Sequence, residues 1–398
     1  MTNRSDSDSQ FMTKKRLQVE LQRCEYCEEK PCQQACPANC SPFDFIMAAR
    51  VGNPSDLQRS AAEIMRNNPL GGVCGVVCPD RFCMAACSRK GFDGPINIPQ
   101  VQATVVEMAK RLGGIPNFRA PVRNGKSVAV IGGGPAGLGA AAALAQMGYA
   151  VAIFEGRDRL GGALNLIPDE RLDKEVVRTD IEFALSLGAI TVKTAYAVDD
   201  PKRLLRDGYD AVCVTTGLWK PIELGIENED LAIKMVDLLG NPAAFHFIDR
   251  VAVIGGGATA LDCAITAKRQ GARHVELFML EKFAEMPLTA AERHELVQFD
   301  LELNSRMRVT KFRKSAGKLA GLETRKVSLP EGMPFKPANV RDAEGIDGVR
   351  TDFEAVVMAI KALKAALSRQ SSNPRTRTRK KTAPKNRGTP ATPTDETT

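Results

Sequence analysis

Nine cysteines crowd into residues 24–87 of this 398-residue chain, and only Cys213 and Cys263 lie outside that stretch. Nothing else in the sequence restricts the fold of a segment so tightly. In a small secreted domain the cluster would read as a disulfide framework, but the chain is large and its start, MTNRSDSDSQ, is polar with no apolar signal region. The thiols therefore point to metal. They read Cys24-x2-Cys27-x4-Cys32-x3-Cys36-Pro followed by Cys40, then Cys74-x3-Cys78-Pro-x3-Cys83-x3-Cys87. Thiolates hold iron–sulfur clusters in sets of four, and short spacings closed by Cys-Pro recur at 4Fe-4S sites. Eight ligands would supply two clusters. Tetrahedral zinc is the competing reading, but it usually separates two CxxC pairs by a hairpin, whereas one stretch here holds four cysteines and ends at Cys-Pro. Cys40, Cys74, Cys213 and Cys263 also fit as small buried hydrophobes.

Around the cysteines the pattern is helical. PFDFIMAARVGN, DLQRSAAEIMRNN and INIPQVQATVVEMAKRL are amphipathic at helical spacing and strand signals are few, so residues 21–122 are expected to form a small helical domain behind a disordered arm, residues 1–20. At Lys126 the grammar changes. SVAVIGGGPAGLGAAAALAQMGYAVAIFE is a buried strand, a glycine turn, an Ala-rich helix and a second strand, and RVAVIGGGATALDCAITAKRQGARHVELFML repeats it. The expected fold class is α/β: an N-terminal all-α iron–sulfur domain followed by two doubly wound, Rossmann-like nucleotide-binding domains, over residues 123–245 and 246–350. YDAVCVTTGLWKP is a further strand, and FEAVVMAIK resembles it; residues 351–360 are read as a return strand to the first of these domains.

A GxGxxG motif alone is weak, but Gly132, Gly134 and Gly137 directly follow an apolar strand and open a helix, the context in which the backbone can approach a pyrophosphate. Pro135 and Ala136 lie within that turn, and Glu155 ends the second strand where a carboxylate would accept ribose hydroxyls. The second turn has Gly255, Gly257, Ala258, Thr259 and Ala260, with alanine replacing the third glycine. His246, His274 and His294 show no ligand spacing, and no catalytic acid or base is expected.

CEYCEEKPCQQACP, NPLGGVCGVVCPDRFCMAAC and INIPQVQ together resemble the amino-terminal part of dihydropyrimidine dehydrogenase and the glutamate synthase small subunit, and the likeness continues through both glycine turns to about residue 360. The resemblance implies two interleaved clusters, one on Cys24, Cys27, Cys32 and Cys87 and the other on Cys36, Cys78 and Cys83. It makes Gln102 a candidate fourth ligand for the second, with Cys74 and Cys40 as alternatives. It implies FAD at the first turn, lined by Gly161, Gly162 and Arg171 and closed by Thr216 and Gly217, and NAD(P) at the second. Leu280-Glu281 stands where relatives using NADPH carry an Arg pair, so NADH is expected over NADPH. The expected activity is that of an electron-input subunit, passing electrons from NAD(P)H through FAD to the clusters and on to a larger catalytic subunit or a ferredoxin-type acceptor.

The net charge of +8 does not make this a nucleic-acid protein, because residues 361–398 carry ten Lys or Arg against two acids and account for the whole surplus. That tail lacks apolar periodicity and is expected to be disordered. No run approaches the roughly 18 apolar residues that span a bilayer, which predicts a cytoplasmic protein without membrane contact. Lys361 stands where the resemblance expects a glycine and further FAD fold, so a truncated chain is also expected. That gives the alternative: a non-catalytic iron–sulfur module that binds a partner. A disulfide reductase would need a CxxC near the flavin, and neither Cys213 nor Cys263 forms one.

Overall fold

Helix and strand segregate along the chain as the hydrophobic periods require. The computed structural model describes residues 10–116, 121–218 and 223–360, without the side chains of 344–347, and these described residues belong to one unit. The basic tail and residues 1–9 lie outside the described residues.

The first part holds helices α1 (Lys14–Gln22), α2 (Pro31–Gln34), α3 (Pro42–Ala49), α4 (Pro54–Asn67), α5 (Gly71–Val77) and α6 (Ile98–Arg111). Among its described residues there is no strand. The helices start where local chemistry stops the backbone: Thr13, Ser41 and Asn97 cap α1, α3 and α6 with their side chains, and Pro occupies the first turn of α3, α4 and α6. Phe45, Ile46, Ile64, Met65, Val101 and Val105 form the core between α3, α4 and α6. The expected disordered arm is corrected here over residues 14–20. Leu17 and Leu21 sit one helical turn apart and are buried with Met12, and that burial holds α1 against the domain.

The next stretch alternates β1 (Ser127–Ile131), α7 (Pro135–Gln146), β2 (Ala150–Phe154), α8 (Lys174–Ser186), β3 (Ile190–Lys193), α9 (Pro201–Arg206) and β4 (Ala211–Val214). Its four strands are parallel in the order β3-β2-β1-β4. The second parallel sheet has the order β5-β12-β6-β7-β8, from β5 (Ile233–Lys234), β6 (Arg250–Ile254), β7 (His274–Phe278), β8 (Glu302–Asn304) and β12 (Ala355–Met358). Helices α10 (Met235–Gly240), α11 (Ala258–Arg269) and α12 (Ala290–Gln298) go with it. A three-stranded antiparallel sheet of β9 (Met307–Ser315), β10 (Lys318–Ser328) and β11 (Arg341–Arg350) precedes β12. It places Val309, Phe312 and Leu322 against the second sheet.

Two expected boundaries change. Residues 351–360 do not return to the first nucleotide-binding domain: β12 pairs in parallel with β6, Ala355 opposite Val251. It is to the second unit what β4 is to the first, since β4 pairs with β1 in the same way. The second unit also begins before residue 246, because Leu238 and Leu239 of α10 are buried in its core.

Helix α5 joins the core of the first nucleotide-binding unit to the helical domain. Leu70 and Val73 are buried with Val130, Leu138 and Val177 of the first nucleotide-binding unit, while α6 packs on its other side. That approach needs glycine: a Cβ on Gly75 would stand 2.5 Å from the Ala103 backbone nitrogen. Gly75→Ala is therefore expected to lower stability by about 1–3 kcal/mol through overpacking, read as an earlier unfolding transition in urea.

Candidate cofactor-binding site

The glycine turns hold their shape through backbone approaches too close for a side chain. At the first turn Gly132 has φ +105, and a Cβ there would meet the Thr215 carbonyl at 2.5 Å. A Cβ on Gly137 would stand 1.8 Å from the Gly132 carbonyl, so the helix can approach the turn only with glycine at that position. The Gly133 amide donates to Glu155 Oε2 at 2.6 Å, which fixes the carboxylate beside the turn. Pro135 and Ala136 are exposed at the start of α7. The loop with Gly161 and Gly162 comes back over the turn: the Gly161 amide donates to the Gly133 carbonyl at 2.8 Å, and a Cβ on Gly162 would reach Gly134 Cα at 2.8 Å. Thr215 Oγ1 donates to the Ile131 and Gly132 carbonyls, which brings Thr216 and Gly217 to the same edge. Sequence-predicted residues separated by 85 positions thus meet around one backbone turn.

The second turn repeats this construction. Gly255 has φ +141 and faces the Ala359 carbonyl, as Gly132 faces Thr215. Gly257 caps α11, whose first turn carries Ala258, Thr259 and Ala260. A Cβ on Gly256 would meet Glu281 Oε2 at 2.7 Å, so Glu281 occupies the position that Glu155 holds in the first unit. Burial pushes the Glu281 carboxyl above its ordinary range. Arg306 lies nearby, but its guanidinium is taken by Glu285 at 2.7 Å and by the Leu280 carbonyl.

Arg171 is engaged differently from the resemblance's assignment to the flavin. It reaches from the first unit to α11 and α12 of the second, pairing with Asp262 at 2.8 Å and with Glu292. Glu295 lies close to this group, one of its oxygens buried without a hydrogen bond and its carboxyl pushed up by burial. Sequence reasoning missed these acids because their partner is some 90 to 120 residues away.

Among the cysteines, Cys24, Cys27, Cys32 and Cys87 line one pocket with Pro31, Phe43, Ile46 and Ile98. Burial raises the thiol pKa of Cys24 and Cys32, and Ser88 Oγ lies 3.0 Å from Cys27 Sγ. Cys36, Cys78 and Cys83 form a second group, in which a Cys36 thiolate disfavours ionisation of the other two. Burial first, then Cys74 and Cys36, pushes Cys78 up to about 11, and burial first, then Cys78 and Cys36, pushes Cys83 up to about 12. Cys40 donates to Cys36, which falls to about 6, while Cys40 itself rises. Among the described residues no three His, Cys, Asp or Glu converge closely enough to hold a single ion. A zinc ion would draw its thiolates to within roughly 3.8 Å of one another, from a bond of about 2.3 Å in a tetrahedron. Four cysteines that line one pocket fit a larger inorganic core held by four thiolates. Gln102 is buried on α6, and its Nε2 donates to the Gly71 carbonyl at 2.7 Å. Cys263 is fully buried in the second unit's core, which pushes its thiol well up, so it reads as packing.

Residues 126–360, with an overlapping match over 95–188, fit the family described as pyridine nucleotide-disulphide oxidoreductase. The chain belongs to that family. Residues 2–113 match the dihydropyrimidine dehydrogenase domain II 4Fe-4S family. The chain is 34% identical over 282 residues to the NAD-dependent dihydropyrimidine dehydrogenase subunit PreT of Escherichia coli, covering 69% of this chain and 67% of that protein. It is 31% identical over 305 residues to the glutamate synthase [NADPH] small chain of the same organism, covering 71% and 64%. FprA of Mycobacterium tuberculosis shares the fold, with a TM-score of 0.50 at 17% identity over 59% of this chain and 70% of that one. The chain spans about two thirds of the length of the curated relatives it matches. Family and fold make it an NAD(P)H-dependent FAD oxidoreductase with a 4Fe-4S domain. Among the described residues no helix is long and apolar enough to cross a membrane.

Removing the Arg171 guanidinium would take from Asp262 and Glu292, each with its side chain 9% exposed, the cation that they share. Arg171→Ala is expected to destabilise the protein by about 3–5 kcal/mol in chemical denaturation, and adding Asp262→Asn with Glu292→Gln to recover most of that loss.

Proposed function

We propose that the chain is the electron-input subunit of a larger cytoplasmic enzyme, taking electrons from NADH and delivering them through FAD and two 4Fe-4S clusters to a partner. The observation that carries this reading is that one unit brings together a glycine turn with its carboxylate, built twice, and two groups of cysteines, joined through α5. The partner would be a larger catalytic subunit or a ferredoxin-type acceptor, in keeping with relatives named as subunits or chains of larger enzymes.

Bound FAD would accept a hydride and release single electrons to the clusters. The chain's own residues bind and orient. At the first turn Gly132, Gly134 and Gly137 admit the pyrophosphate to the amino end of α7, and Glu155 meets the ribose. Gly161, Gly162, Thr216 and Gly217 line the same turn. Gly255, Gly257 and Ala260 do the same for the nicotinamide nucleotide, with Ala258 and Thr259 in the first turn of α11. Cys24, Cys27, Cys32 and Cys87 would hold one cluster. Cys36, Cys78 and Cys83 would hold the other, with Gln102 as fourth ligand because its amide nitrogen is spent on Gly71 and its oxygen remains to coordinate.

Glu281 favours NADH: a carboxylate beside Gly256 accepts a free 2′-hydroxyl and repels a 2′-phosphate. Glu281→Ala is expected to narrow the NADH-to-NADPH ratio of kcat/KM by about tenfold, equivalent to about 1.4 kcal/mol. NADPH turning over faster than NADH in the wild type would refute the assignment. Protein purified without oxygen is expected to carry about eight irons and one flavin per chain, with half the iron lost in Cys24→Ser. Iron and sulfide without flavin, and no NADH oxidation, would instead support a non-catalytic partner-binding module.

A further inference from the structure

Asp180 is a fully buried carboxylate that no part of the nucleotide or thiol sites uses. It sits on α8, and α8 packs against α7, the helix that opens at the first glycine turn. From there it reaches into the helical domain. Its Oδ2 accepts from the Val73 amide at 2.8 Å, and its Oδ1 accepts from Lys110 Nζ at 2.6 Å. Lys110, in the last turn of α6, also donates to Thr179 Oγ1 at 2.7 Å. Gly72 allows the approach: a Cβ there would stand 2.9 Å from Asp180 Oδ1.

The helix held in this way is α5, which contains Cys74 and ends at Cys78. Its Gly71 carbonyl is tied to Gln102 on α6. One carboxylate therefore fixes three elements at a single point: the helix packed on the flavin-site helix, the segment leading into Cys78, and the helix bearing Gln102. A buried ion pair is a poor source of stability, and its best-attested use is to fix one register. A purely apolar contact between α5 and α8 would allow small shifts, whereas these bonds fix direction as well as distance.

We infer that Asp180 is a positioning residue for electron transfer, locking the Cys78-bearing segment onto the flavin domain. The inference rests on the functional reading above and adds a residue to it. The step it governs is the passage of one electron from reduced flavin to the cluster held by Cys36, Cys78 and Cys83, which oxidises the flavin and reduces iron.

The test uses the full chain loaded with its cofactors and prepared without oxygen. Asp180→Asn keeps the shape and removes the charge, and Gly72→Ala keeps the charge but pushes α5 from α8. Each variant is mixed with NADH while flavin bleaching and cluster reduction are followed separately, and deuterium exchange is read at the Val73 amide. Both are expected to bleach flavin at the wild-type rate, to reduce the cluster more slowly by about tenfold or more, and to exchange the Val73 amide faster. Should Asp180→Asn not fold, Gly72→Ala carries the same test. Cluster reduction at the wild-type rate, or equal slowing of both steps, overturns the inference. Wild-type protein that binds neither iron nor flavin would sink the functional reading itself, a result that metal and flavin analysis separates from failure of the variants alone.

Discussion

The fit of α5 between α6 and the core of the first nucleotide-binding unit is the constraint on which the rest of the structure depends. Seven residues, three of them glycine, lie in contact with α6 on one side and with the first nucleotide-binding unit on the other. Bulk is excluded because a Cβ would meet the Ile64 side chain at Gly71, the Asp180 carboxylate at Gly72 and the Ala103 backbone at Gly75, and apolar Leu70 and Val73 supply the burial. A thiol-bearing helical domain and a nucleotide-binding domain could each fold around its own core. This shared helix makes their relative placement part of the fold instead of a property of a linker.

The two nucleotide-binding units show one solution used twice, with different surroundings. In each, a strand ends in a glycine turn, a carboxylate from the next strand's end closes on the second glycine, and a later strand places its carbonyl under the first. The differences lie outside that frame. The first unit leans on the helical domain through α8 and α5, whereas the second carries the β9–β11 sheet and turns Asp262 and Glu292 toward Arg171. Function is carried by these additions as much as by the common frame.

Much of this was legible in the sequence because the signals are local. SVAVIGGGPAG and RVAVIGGGATA each contain strand, turn and helix start within a dozen residues, and the Cys-Pro spacings group the thiols without reference to the rest of the chain. Helix α1 was hidden because two buried leucines in a polar stretch give only a narrow apolar stripe. The placement of FEAVVMAIK was hidden because its likeness to YDAVCVTTG reports the role of the strand within a unit, not which unit it joins. The β9–β11 sheet did have a signal, an alternating pattern around Ala316-Gly317, weaker than those of the buried parallel strands. Arg171 and Asp180 could not be assigned by spacing, since their partners come from elements remote in sequence and only packing selects them.

The glycine turns also impose an order on events. Gly132 is seated against Thr215, 83 residues further on, and the strand behind Gly255 is joined by Ala359, which comes later still by about 100 residues. Neither turn has its final backing until the ribosome has delivered that distant strand. Such long-range closure is slow compared with helix formation. During synthesis the cysteine-bearing helices therefore precede the domain against which α5 packs.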